Sequence, residues 1–153
     1  MKLLPEINSA DPETIGGNAF SLPNGIIGFG DYRRAELLYS TAQFPFLWMK
    51  LQGPREPVNF VVIEPGGVVP GYELEIFDHD ALSLGLTESA DAMILNIVTL
   101  RHQSPIDATV NLIGPILVNR RTRIGRQLVI ANHSQYSARH HLLQKETPVA
   151  AIA

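Results

Sequence analysis

Thr109–Ile130 reads TVNLIGPILVNRRTRIGRQLVI. It alternates strand-forming aliphatics with breaks: a strand, Gly114-Pro115, a second strand, a turn of arginines, and a third strand from Arg126 to Ile130. Thr109–Leu112 and Ile116–Asn119 are the first two strands, and each of the three carries two β-branched residues. Three amides, Asn111, Asn119 and Gln127, stand among these aliphatics. A buried amide is costly unless its hydrogen bonds are made, so each needs either a backbone partner or a ligand. None is a nucleophile or general base at neutral pH. The expectation is that they mainly satisfy backbone groups at strand edges and bends.

Working outward, the same punctuation recurs. Pro23-Asn24-Gly25 and Gly28-Phe29-Gly30-Asp31 mark turns, and Gly53–Pro57 and Pro65-Gly66-Gly67 bound a β-branched run, Asn59–Ile63. Ala35–Tyr39 and Phe46–Leu51 also read as strands. Tyr72-Glu73-Leu74-Glu75-Ile76 alternates strictly, with one apolar and one acidic face. Ala92–Leu100 is nine mostly apolar residues, whose Ile, Val and Thr content favours a strand buried on both faces. Asp78–Leu86 is the one helix candidate, with Asp78 or Asp80 as cap and Gly85 as stop. Eight to ten short strands and one small helix predict an all-β, barrel-like antiparallel domain over residues 16–143. Residues 1–15 are expected to be a flexible segment and residues 144–153 a disordered tail.

The chain has 153 residues, enough for one domain with a substantial core. With no cysteine, disulfides, thiolate metal sites and cysteine nucleophiles are excluded. No apolar run approaches a bilayer span, and the N-terminus does not read as a secretory signal, so a cytoplasmic location is expected. Charge is lopsided. Residues 1–100 hold 5 basic and 13 acidic side chains, residues 101–153 hold 7 and 2, and Glu64–Asp91 contains seven acids and no lysine or arginine. Such asymmetry steers charged partners.

Motifs for chemistry are scarce. No glycine-rich phosphate loop, HExxH or GxSxG occurs. His79, His102 and His133 are scattered and read as polar loop residues. The adjacent His140 and His141 would face opposite ways on a strand, so neither a metal site nor a catalytic centre is expected. Arg120, Arg121, Arg123 and Arg126 could neutralise phosphate, which makes a nucleic-acid-binding barrel the alternative reading. No aromatic residues interleave with them for base stacking, and a charged hairpin edge explains them more simply. Phe44, Phe46, Trp48, Phe60 and Tyr72 fall in one third of the chain. They read first as core, or, where exposed, as a docking surface.

Several blocks together resemble the flagellar assembly factor FliW family. They are Phe20–Phe29 (FSLPNGIIGF), Phe44–Trp48 (FPFLW), Phe60–Pro65 (FVVIEP), Pro70–Glu73 (PGYE), Thr109–Asn119 (TVNLIGPILVN), Gly125-Arg126-Gln127, and Tyr136–His140 (YSARH). The signature positions are Pro23, Gly25, Gly28, Phe29, Asn111, Pro115, Asn119, Gly125 and Gln127. The resemblance runs from Phe20 to Leu143. Ile27 and His141 depart from it, each standing where the family commonly has proline.

The resemblance implies a compact β-barrel without enzymatic activity or cofactor. It also implies two protein partners: newly made flagellin, and the carbon storage regulator CsrA, an RNA-binding repressor of flagellin translation. The implied mechanism is a partner switch, in which flagellin occupies the protein until export frees it to capture CsrA. From composition, Glu64, Glu73, Glu75, Asp78 and Asp80 are the expected CsrA-facing acids, because an RNA-binding protein presents basic surface. Phe44, Phe46 and Trp48 are expected to line an apolar groove for a flagellin helix. A monomer is expected.

Overall fold

The structure, a computed structural model, describes residues 1–7, 18–101 and 107–142. Its elements are β1 (Lys2–Leu3), β2 (Ala19–Ser21), β3 (Arg34–Leu38), β4 (Leu47–Gln52), β5 (Val58–Ile63), β6 (Leu74–Glu75), α1 (Asp78–Leu84), β7 (Ala92–Arg101), β8 (Asp107–Val110), β9 (Ile116–Asn119), β10 (Ile124–Gln127) and β11 (His140–His141). The order β7-β5-β4-β3-β2-β10-β9, with β9 pairing back onto β7, closes a seven-stranded barrel. Every pairing in it is antiparallel except the parallel β2–β10 contact. Among the described residues, the expected all-β barrel with one short helix is what forms.

β7 is the axis of the molecule. Its first half pairs with β9, and its second half pairs with β8 on the same edge. Between these registers, six residue steps from Val110 to Ile116 oppose three from Val98 to Leu95. The extra residues are the Asn111–Pro115 break, which lifts the chain from the barrel wall into an outer flap made of β8 and β11.

Two cores share β7 and β9. Met93, Leu95, Ile116 and Val118 point into the barrel with Phe20, Leu22, Leu37, Met49, Leu51 and Val62. Ala92, Ile94, Val98 and Leu117 point outward, into a second cluster roofed by Leu3, Tyr72, Leu74, Ile76, Ala81 and Leu84. Both faces of β7 and β9 are therefore buried, so these strands read as continuous apolar runs while β3 shows exposed–buried alternation. Tyr72, Leu74 and Ile76 bury their side chains while Glu73 and Glu75 stay exposed, as the alternation predicts.

Three expectations need correction. The N-terminal stretch is docked where it is described: Lys2-Leu3 pairs with Leu74-Glu75, and Leu3 is fully buried. Residues 8–15 of that segment, the 144–153 tail and His102 lie outside the described residues. The third strand of the opening stretch runs Ile124–Gln127 rather than Arg126–Ile130, because the arginine turn closes within Arg120–Arg123. Beyond it, Leu128 and Ile130 donate N–H bonds to Pro115 and Ile113 without extending the sheet. Finally, α1 has no side-chain cap: Phe77 occupies the N-cap position, and Asp80 turns inward.

Candidate functional site

The three amides of the opening stretch are spent on the fold. Asn111 Oδ1 accepts from the N–H groups of Ile113 (3.1 Å) and Gly114 (3.0 Å), a local turn that ends β8 before Leu112. Gln127 accepts from Ile27 N (2.9 Å) and donates to Gly114 O (3.1 Å), tying β10 to two loops. Asn119, fully buried at the end of β9, donates to Leu84 O (2.8 Å) and Gly85 O (3.3 Å). Its Oδ1 accepts from Arg121 N (2.9 Å) and Thr122 N (3.3 Å). One side chain thus holds the C-terminus of α1 and the arginine turn together.

A fourth amide, Asn96, has no counterpart among the amides that the sequence singles out. It is fully buried on β7, and its Nδ2 donates to Tyr72 Oη (3.2 Å) and Asn111 O (3.0 Å). Tyr72 Oη donates in turn to Leu112 O, and burial pushes its phenol well above the ordinary tyrosine range. Tyr72 meets Tyr136 edge-on at 5.0 Å, and Tyr136 Oη accepts from Glu73 N. Asn132 completes the support, accepting from Glu75 N and donating to Glu73 O, both at 2.9 Å. Its amide stands in for a neighbouring strand and blunts the outer edge of β6.

The arginine turn is partly committed to the fold. Arg126 donates to Asp80 Oδ1 and Ser83 Oγ, each at 3.1 Å, and Asp80 is only 5% exposed. Arg121 pairs with Asp91 at 3.4 Å, and Arg123 Nε donates to Ala19 O at 3.3 Å. Arg123 and Arg126 are thus tied to the fold and poorly placed to neutralise phosphate, whereas Arg121 stays 62% exposed in its ion pair and Arg120 Nε has no hydrogen-bond partner among the described residues.

The acid-rich stretch does not form one surface. Glu73, Glu75 and Asp78 lie together on the β6–α1 ribbon, exposed. Lys2 sits 3.2 Å from Glu73, and the Met1 amino group donates to Glu75 at 3.1 Å and lies 3.7 Å from the fully exposed Asp78. Asp80 is withdrawn into its pair with Arg126. Glu64 is part-buried elsewhere, in a small cleft shared with Tyr39, Phe44, Pro45 and Val68. The expected acidic face therefore reduces to three carboxylates, and Glu64 joins the aromatic region instead.

The aromatic trio does converge. Phe44, Phe46 and Trp48 line a groove of about 320 Å³ with Ala42, Val61 and Leu100. Phe46 and Trp48 share a side, as their spacing predicts. Phe44 is 72% exposed and Trp48 41%, whereas Phe46 packs partly onto the outer core. Leu38, directly across from Trp48 on β3 and 42% exposed, extends the apolar strip. Large aromatics left in water at an open groove suit protein docking. Phe60 and Tyr72 are occupied otherwise: Phe60 packs edge-on to Phe29 at 5.3 Å, and Tyr72 is core.

Among the described residues, no group of three or more histidine and carboxylate side chains could hold a metal ion. His79 is in α1 rather than a loop, stacked on Phe77 at 5.5 Å. His141 Nδ1 lies 3.2 Å from Asp107 Oδ1. Among the same residues, no helix is long and apolar enough to cross a membrane.

Comparison with known proteins agrees with this architecture. The family model described as FliW protein matches residues 6–142. The flagellar assembly factor FliW of Natranaerobius thermophilus is 36% identical over 126 residues, covering 82% of each chain. That of Leptospira interrogans is 34% identical over 125 residues, covering 81% of each. A crystal structure of the flagellar assembly factor FliW superposes with a TM-score of 0.70 at 29% identity, covering 91% of this chain and 95% of the other. A matching family model over most of the chain, a shared barrel, and a signature block whose amides build that barrel place this chain in the FliW family of flagellar assembly factors.

Proposed function

We propose that this chain binds newly made flagellin as a chaperone and the translational regulator CsrA as an antagonist, in the cytoplasm, with an assembly role rather than a catalytic one. Flagellin occupies it until export; the released protein then captures CsrA and relieves repression of flagellin translation. The observation that carries this reading is the open groove holding Phe44 and Trp48, on elements distinct from the acidic β6–α1 ribbon. An apolar groove takes the apolar face of a helix, the form expected of flagellin's terminal segments. Exposed carboxylates at Glu73, Glu75 and Asp78 suit the basic surface of an RNA-binding repressor, at a place where they would also repel RNA phosphate.

The test is binding to flagellin and CsrA from the same genome, measured separately and in competition. Trp48→Ala is expected to weaken flagellin binding by about 2 kcal/mol, roughly thirtyfold, and leave CsrA binding intact. Glu73→Lys with Glu75→Lys should weaken CsrA binding and flatten its salt dependence without affecting flagellin. Wild-type protein that binds neither partner would end the proposal. If each variant affects both partners equally, the assignment of two surfaces is wrong.

A further inference from the structure

The outer flap carries a third surface, used by neither of the two proposed partners. Beyond the barrel wall, the face of β7 that points inward at Met93 and Leu95 continues over β7, β8 and β11 and turns polar. Strand register sets its rows. Thr99 lies directly across from Thr109, and Thr109 across from His141. Arg101 lies across from Asp107 in the next row, and Arg139, in the turn that leads into β11, lines the same hollow. The opposite face of the same strands, Val98, Ala108 and Val110, is buried core, which fixes these polar side chains outward. Together with Ile97 they line a trough of about 390 Å³.

The charge in this trough is unbalanced. Asp107, its one carboxylate among the described residues, is engaged at 3.2 Å by His141. Arg55, Arg121 and Arg126 are each committed to a carboxylate, whereas Arg101 and Arg139 have no ion-pair partner among the described residues. Two free guanidinium groups therefore face a concave surface floored by paired threonine hydroxyls. Guanidinium forks and hydroxyl donors match an oxyanion with several acceptor oxygens, and the volume is that of a small-molecule site.

We propose that this trough binds a phosphate group, free or esterified to a small molecule, with Arg101 and Arg139 clamping the oxyanion and Thr99 and Thr109 donating to it. The proposal is independent of flagellin and CsrA binding.

The test is equilibrium titration of the whole chain with adenosine monophosphate, inorganic phosphate and an acidic hexapeptide, followed by backbone amide NMR. Saturable shifts centred on Thr99, Thr109 and His141 are expected with phosphate or the nucleotide. Arg101→Gln and Arg139→Gln should each weaken binding about tenfold, whereas Arg121→Gln, altered outside the trough, should not. Inorganic phosphate binding as tightly as the nucleotide means that the free ion suffices; a much tighter nucleotide means that an ester is read. Thermal melts of the variants confirm folding, since all three sites are exposed. Three results would overturn the proposal: no saturable binding of either phosphate probe, equal weakening by Arg121→Gln, or saturation by the acidic peptide alone, which would make the trough a surface for acidic protein segments.

Discussion

Asn119→Ala is expected to destabilise the protein by roughly 3–4 kcal/mol, a large share of the total stability of a domain this size. The amide is fully buried and makes four contacts with backbone groups at two places. Its Nδ2 satisfies carbonyls at the end of α1, where Gly85 takes the left-handed cap conformation at φ 68°. Its Oδ1 holds the Arg121 and Thr122 amides of the arginine turn, which a backbone bond from Arg123 N to Asn119 O (2.8 Å) also closes. Alanine removes both sets of bonds and leaves a cavity between helix and turn. Each orphaned group costs about 1–3 kcal/mol where water cannot replace the partner, and the turn is open enough to recover part of that.

Denaturant unfolding gives the magnitude, and hydrogen exchange gives the place. Protection should fall first at Gly85, Leu86, Arg121 and Thr122, leaving β3 and β4 unchanged. Asn119→Asp keeps the acceptor for the turn but loses the donors to α1, so exchange should rise chiefly at the helix end. A loss below 1 kcal/mol for alanine would mean that the bonds are not what holds α1 in place.

Asn119 also marks where sequence reasoning stops. That an amide in an aliphatic strand must be satisfied follows from desolvation alone, and it holds for Asn111, Asn119 and Gln127. Which backbone groups do the satisfying does not follow: Leu84 is 35 residues away from Asn119, and Gly114 is 13 from Gln127. Asn96 is illegible for the same reason, since its partner Tyr72 is brought to it only by the ribbon folding across β7.

Charge runs mislead in a related way. Glu64–Asp91 is a single acidic stretch in the chain, yet Asp80 faces inward to Arg126, 46 residues away, and Glu64 sits beside Phe44. Linear composition counts charges but does not assign faces. Alternation does, so Glu73 and Glu75 are exposed as expected, and Phe46 and Trp48 share a groove. The polar flap trough is invisible in the linear chain because Arg101 and Thr109 come together only through strand register, and Arg139 reaches them only from the turn before β11.

Gly25→Ala is expected to cost roughly 3 kcal/mol or more, through backbone rather than lost contacts. Gly25 has φ 61°, which costs a residue with a side chain about 1–2 kcal/mol. A Cβ there would stand 2.1 Å from Phe29 O and 2.7 Å from Gly30 Cα. Both are backbone atoms, so no rotamer change can relieve the overlap and the Phe29-Gly30 segment must move. That segment is pinned by the Phe29 N–H bond to Ile26 O (2.8 Å). Phe29 also meets Tyr32 and Phe60 edge-on, at 5.7 and 5.3 Å, so displacement propagates into the inner core that these rings pack against. Gly28 is the built-in control. It has φ 86°, but a methyl group there would meet nothing within 4 Å, so Gly28→Ala carries the conformational penalty alone, about 1–2 kcal/mol. The difference between the two variants in urea unfolding therefore isolates the steric cost, and Gly25→Ala alone should shift the resonances of Phe29, Tyr32 and Phe60. Equal destabilisation by both variants would show that the close approach of Phe29-Gly30 to Gly25 contributes nothing, and that this turn yields freely.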